Sequence, residues 1–140
     1  MTRLERLLKI RRAGESVERG RWARARLEVE ARAGEAGSIA AKRDAVAEDL
    51  RSISTGTLNL ARLALGAQSR EVLQETLETA EMAARAAEEL AEARRRELES
   101  ANRRVRALEK VSGRIAALDK ARREAAERRE NDDRRRAEAP

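Results

Sequence analysis

From Leu73 to Leu118, small or apolar residues recur at alternating three- and four-residue steps: Leu73, Leu77, Ala80, Ala84, Ala87, Ala91, Arg94, Leu98, Ala101, Val105, Leu108, then Val111, Ile115 and Leu118. This spacing keeps the residues on one side of a helix and predicts a long element with a narrow seam. Two three-residue steps in succession, Val105 to Leu108 to Val111, predict a shift of heptad phase. Upstream, Ile10, Ala13, Val17, Gly20, Arg24, Leu27, Ala31, Gly34, Ser38, Ala41 and Ala45 keep the same rhythm with fewer large residues. A second phase shift is then needed to reach Val46, Leu50 and Ile53.

The punctuation between the two series is Thr55-Gly56-Thr57 and Gly66-Ala67-Gln68-Ser69. Gly56 and Gly66 suit helix C-terminal positions, and Thr57 and Ser69 suit N-caps. The pattern therefore predicts helix 1 over about 3–54, an apex over 55–69 and helix 2 over about 70–136. Leu58, Leu60, Leu63 and Leu65 would form a short helix or turn at the apex. Gly34, Gly37 and Ser38 read either as a break inside helix 1 or as small residues admitting a close neighbour. The fold expected is all-α: one elongated domain over 1–140, a long antiparallel two-helix coiled-coil hairpin. A register in which facing residue numbers sum to about 125 fits the side-chain sizes, setting Leu7 opposite Leu118, Ile10 opposite Ile115, Val17 opposite Leu108 and Leu27 opposite Leu98. At 1.5 Å per residue the helices would be roughly 75 and 100 Å long, so the C-terminal end from about Arg122 would pass the N-terminus.

Composition narrows the possibilities. The 140 residues are 41% charged and 41% hydrophobic, yet include one Trp and no Phe or Tyr, so a thick globular core is not expected. The only proline is Pro140, and nothing inside the chain forces a helix to break. With no cysteine and no histidine, disulfides, thiolate chemistry, the usual neutral-pH base and the commonest transition-metal ligand are all missing. Carboxylates are numerous but none is paired in a predicted cleft, and the seven glycines form no phosphate-cradling loop. The reading is a non-catalytic protein with no cofactor, metal or small-molecule substrate. The charged first turns, Met1-Thr2-Arg3-Leu4-Glu5-Arg6, lack a signal-like or membrane-spanning stretch, and a cytoplasmic protein is expected.

The net charge of +6 is unevenly spread. Residues 1–36 hold 10 Lys/Arg against 6 Asp/Glu, residues 37–93 hold 6 against 10, and residues 94–140 hold 16 against 10. In a hairpin the two basic ends would meet at a positive base, with the acidic segment at the far tip. Such a molecule could be steered onto an acidic partner in a salt-dependent way. Arg94-Arg95-Arg96, Arg103-Arg104 and Arg134-Arg135-Arg136 are the densest basic clusters. Interleaved Glu97, Glu99, Glu109, Glu124 and Glu127 favour a solvated helical face, and the lone Trp22 supplies little base stacking, which argues against nucleic acid. Trp22 lies just off the helix 1 stripe and is expected against the partner helix or a protein surface.

The stretches Leu4-Glu5-Arg6-Leu7-Leu8-Lys9-Ile10-Arg11-Arg12, Arg106-Ala107-Leu108-Glu109-Lys110-Val111 and Arg128-Arg129-Glu130-Asn131-Asp132-Asp133, with a glycine-marked hinge near the middle, resemble the flagellar export protein FliJ family of type III secretion. Asn131-Asp132-Asp133 departs from the usual ending. The resemblance implies a stalk-like coiled coil whose terminal end enters the export ATPase ring, with further contacts to the export gate protein and export chaperones. It also implies peripheral association with the cytoplasmic face of a membrane export complex. Carried onto this chain, the ATPase-end surface would comprise Leu4, Leu7, Arg11, Arg104, Leu108, Glu109, Arg122 and Arg123, and the apex surface Leu58, Leu60 and Leu63. A general coiled-coil adaptor or scaffold is the alternative, and an Arg-rich nucleic-acid binder a third.

Overall fold

The computed structural model describes residues 2–54 and 59–140, which form two α-helices packed against each other: α1, Arg3–Ser54, and α2, Leu60–Glu138. Thr2 opens α1 with a reciprocal cap. The Thr2 Oγ1 accepts from the Glu5 backbone N–H at 3.2 Å, and the Thr2 N–H donates to Glu5 Oε2 at 2.8 Å. Asn59 opens α2, its Oδ1 accepting from the Arg62 N–H at 3.2 Å. Basic Arg135 and Arg136 in the last turn of α2 suit the negative end of the helix dipole.

α2 therefore begins about ten residues earlier than the sequence pattern suggests, and Gly66 and Ser69 lie inside it rather than at its boundary. Leu60 and Leu63 belong to the first turns of α2, while Gly56, Thr57 and Leu58 lie outside the described residues. Gly66 has a packing role instead of a capping one. A Cβ built there would overlap the Leu50 side chain, with its Cγ 3.2 Å away, so the missing side chain lets Leu50 of α1 sit directly on the α2 backbone.

The positions of α1 that turn inward are Leu4, Leu8, Glu15, Glu18, Trp22, Ala25, Val29, Ala36, Ile39, Arg43, Val46, Leu50 and Ile53. They follow one unbroken three-four rhythm once exposed Arg11 and Arg32 are counted. This corrects the α1 seam expected from sequence. Ile10, Val17 and Leu27 are 67%, 52% and 64% exposed, and Ala13, Ala31, Gly34, Ser38, Ala41 and Ala45 of the same stripe are exposed too. The inner stripe wins because it carries eight bulky apolar side chains against three, and burial free energy follows apolar area. Of its charged members, Glu18 accepts from Arg21 through Oε1 at 2.9 Å while its Oε2 is buried without a hydrogen-bond partner among the described residues, a cost that the apolar area of the stripe outweighs. No phase shift precedes Val46, which continues the stripe from Arg43.

On α2 the stripe from Leu73 to Leu108 is inward as expected, with Leu77, Ala80, Ala87, Leu98 and Val105 buried. The shift after Leu108 does not occur. Ser112 is the half-buried residue there and Val111 is 45% exposed, so the rhythm runs through with a four-residue step. Gly34 and Gly37 do not break α1, and no neighbour within the chain uses the space they leave, since a Cβ at either would meet nothing within 4 Å.

The packing separates into two units, Met1–Val17 with Glu99–Pro140, and Glu18–Leu98. In the first, Arg12 Nη2 meets Glu109 Oε1 at 3.0 Å, a pair whose residue numbers sum to 121. In the second, Arg43 Nη1 donates to Gln74 Oε1 at 3.2 Å, and Leu50 meets Gly66, giving sums of 117 and 116. The helices are antiparallel in the second unit, but the register is offset from the expected 125 by four to nine residues.

Candidate partner-binding surface

The first unit holds 18 Lys/Arg against 11 Asp/Glu, a net charge of +7, while the second holds 14 against 15, a net charge of −1. The basic excess of the protein therefore resides in one unit. All residues from 113 to 140 are exposed, so the arginines of this stretch, including Arg122 and Arg123, are presented to solvent. Arg11 and Arg104 are exposed as well.

The expected ATPase-end residues fall into two groups. Leu4 and Leu108 are half-buried at inward positions and contribute to helix packing, whereas Leu7, Arg11, Arg104, Arg122 and Arg123 are exposed. Glu109 is tied to Arg12 across the two helices. Three apolar residues that the sequence pattern placed in the seam, Val111, Ile115 and Leu118, are exposed at 45%, 46% and 59%. By heptad position Leu7, Val111 and Leu118 all flank the seam on the same side, where antiparallel helices bring equivalent positions together. The first unit thus exposes both apolar side chains and arginines. The signal available in the sequence was the polar Ser112, which fits the inward rhythm better by spacing than Val111 does.

At the start of α2, Leu60 is exposed and Leu63 is half-buried, so these two do not form one exposed cluster. The apolar surface in that part of the second unit lies elsewhere, in an open groove of about 640 Å³ lined by Ala45, Val46, Leu65, Val72 and Leu73 together with Lys42, Gln68 and Ser69. Trp22, which turns inward on α1 and is half-buried, borders another shallow groove with Val29, Ala91 and Arg95, and the Arg26 guanidinium lies 5.2 Å from its ring centroid.

Glu92 and Arg32 are shifted from their ordinary values by surface ion pairs. The Glu92 carboxyl is held below its ordinary value by the hydrogen bond from Arg95, whose Nη2 lies 2.7 Å away, and further by the charges of Arg95 and Arg96. The Arg32 guanidinium is raised by its hydrogen bond to Glu28 at 2.8 Å and by the charges of Glu28 and Glu35. Neither arrangement is that of a poised acid or base, since both groups are stabilised in the charged form they already hold at neutral pH. Among the described residues, no group of three or more acidic side chains is placed to hold a metal ion, and no helix is long and apolar enough to cross a membrane.

No family model, characterised protein or solved structure matches the chain. The resemblance to the export family consequently rests on the sequence stretches quoted above.

Proposed function

We propose that this protein is a non-catalytic, stalk-like coiled-coil component of a flagellar or related type III export apparatus, whose first unit engages the export ATPase. The observation that carries the reading is the composition of that unit: exposed Leu7, Val111, Ile115 and Leu118 beside exposed Arg11, Arg104, Arg122 and Arg123, at a net charge of +7. Arginine supplies long-range attraction to an acidic partner, and the apolar side chains supply burial once contact is made. Two packed helices with a small-residue seam suit a role in which the protein is held and moved rather than one in which it reacts. The export gate and chaperones are further partners under this reading, with the open groove around Leu65 and Val72 available for one of them.

The test is a pull-down and ATPase-stimulation assay with the cognate export ATPase. Reversal of Arg11, Arg104, Arg122 and Arg123 to Glu is expected to slow association by about tenfold or more at low salt while leaving helical content intact. Wild-type binding by the four-site variant would overturn the electrostatic part of the reading. A source genome without an export ATPase would overturn the whole of it.

A further inference from the structure

The outer face of α1 poses a problem that the rest of the protein does not answer. Within the second unit it repeats Gly20, Arg24, Leu27, Ala31, Gly34, Ser38, Ala41 and Ala45 at heptad spacing, on the side of α1 opposite to the one packed on α2. α1 is therefore apolar or small on two opposite faces. Leu27 stands 64% exposed at the centre of the outer face. Gly34 sits mid-helix in open space, where glycine weakens the helix relative to alanine and no contact within the chain makes use of the missing side chain.

Charges at the rim of this face add an independent constraint. Lys42 and Asp49 are exposed, stand seven residues apart along the same edge, and neither is held by an ion pair among the described residues. Arg21 and Glu28 occupy the same edge, also seven residues apart, and each pairs within α1, Arg21 with Glu18 at 2.9 Å and Glu28 with Arg32 at 2.8 Å. Two such helices laid antiparallel with Gly34 facing Gly34 bring Arg21 to the other copy's Asp49 and Glu28 to the other copy's Lys42. The same alignment sets the large Leu27 against the small Ala41. The one like-charged pair, Glu35 with Glu35, is accompanied by Arg32, whose Nη1 already lies 3.4 Å from Glu35.

We propose that a second copy of this chain packs antiparallel on the outer face of α1, with Gly34 at the two-fold axis. The glycine admits close approach of the two backbones, the adjoining alanines keep the contact narrow, and the matched edge charges fix both direction and register. This surface lies in the second unit and is independent of the arginine-rich surface assigned to the ATPase.

The chain has no cysteine, so engineered thiols report the contact without background. Under mild oxidation Gly34→Cys is expected to form a disulfide-linked dimer, because residues on the two-fold axis meet themselves. Leu27→Cys and Ala41→Cys are each expected to crosslink poorly alone and well when mixed. Self-crosslinking of Leu27→Cys and of Ala41→Cys would show a parallel pair and overturn the proposal. Sedimentation equilibrium of the unmodified protein is expected to show a dimer that Leu27→Glu weakens by about tenfold or more with unchanged helical content. Glu28→Lys should weaken it too, and Glu28→Lys with Lys42→Glu should restore it. A strictly monomeric wild-type protein, or a double exchange that fails to restore association, would overturn the proposal.

Discussion

α2 concentrates its bulky and small apolar residues from Leu73 to Leu108 along one face, whereas α1 divides its own between two opposite faces. The inner face of α1 has the larger side chains, including Trp22, Val29, Ile39 and Leu50, but is interrupted by Glu15, Glu18 and Arg43. The outer face is nearly free of charge, yet Ile10, Val17 and Leu27 are its only bulky members. The helix buries the face with more apolar area and tolerates the charges on it, even Glu18, whose Oε2 is buried without a hydrogen-bond partner among the described residues, instead of burying the face with the cleaner pattern. Periodicity identifies faces that can pack; side-chain volume decides which of two rival faces does.

The largest effect expected from this comparison is at the most buried residue of the α2 seam. Leu77 is 3% exposed, and Leu77→Ala is expected to cost about 2–4 kcal/mol in denaturant unfolding. Leu27→Ala, measured below the concentration at which copies associate, should stay within about 0.5 kcal/mol. Similar losses at the two sites would mean that the outer face of α1 is packed within the chain.

Glycines give a second contrast. Gly66→Ala forces a methyl group into Leu50 and is expected to destabilise by about 1–3 kcal/mol despite the better helix propensity of alanine. Gly34→Ala meets nothing within 4 Å and should stabilise the isolated chain by roughly 0.5–1 kcal/mol, read as a higher melting temperature at low concentration. A Gly66→Ala variant that gains stability would remove the close contact between Leu50 and α2.

How much of this is legible from sequence depends on the element. The α2 seam is legible as far as Leu108 because no rival stripe competes with it. It is lost at Val111, where a three-residue step to a valine looks better than a four-residue step to Ser112. The α1 seam is illegible because charged residues at positions 11, 15, 18, 32 and 43 erase its pattern. The register followed from the α1 stripe and inherited its offset. Of the candidate surface, the arginines were legible because charged residues of a long helix are solvent-exposed by default. Val111 and Leu118 were not, since their exposure is a consequence of the true phase; Ile115, three residues after Ser112 on the inward rhythm, is 46% exposed all the same.

Smaller effects sharpen the account of the first unit. The Arg12–Glu109 pair joins two helices but is exposed on both sides, so a double-mutant cycle with Arg12→Ala and Glu109→Ala should give a coupling below about 1 kcal/mol that fades with salt. The smallest effect is expected at Glu92. Its folded-state carboxyl titrates below the ordinary value of 4.5, so its contribution is fully present above that value and is lost as pH falls below it through the lowered folded value. Glu92→Gln should flatten the stability profile slightly in that acidic window and leave it unchanged near neutrality, as read by thermal melts across pH.

Interhelical register is tested most directly by spin-label distances within one molecule, diluted with unlabelled protein. Labels on Arg43→Cys and Gln74→Cys are expected at a short separation, since these two side chains touch at 3.2 Å and packed helix axes lie about 8–10 Å apart. Labels on Arg43→Cys and Met82→Cys, the pair that a sum of 125 would bring together, should be clearly farther apart, because eight residues advance α2 by about 12 Å. A shorter distance for the 43/82 pair than for the 43/74 pair would contradict the packing of α1 through its inner face.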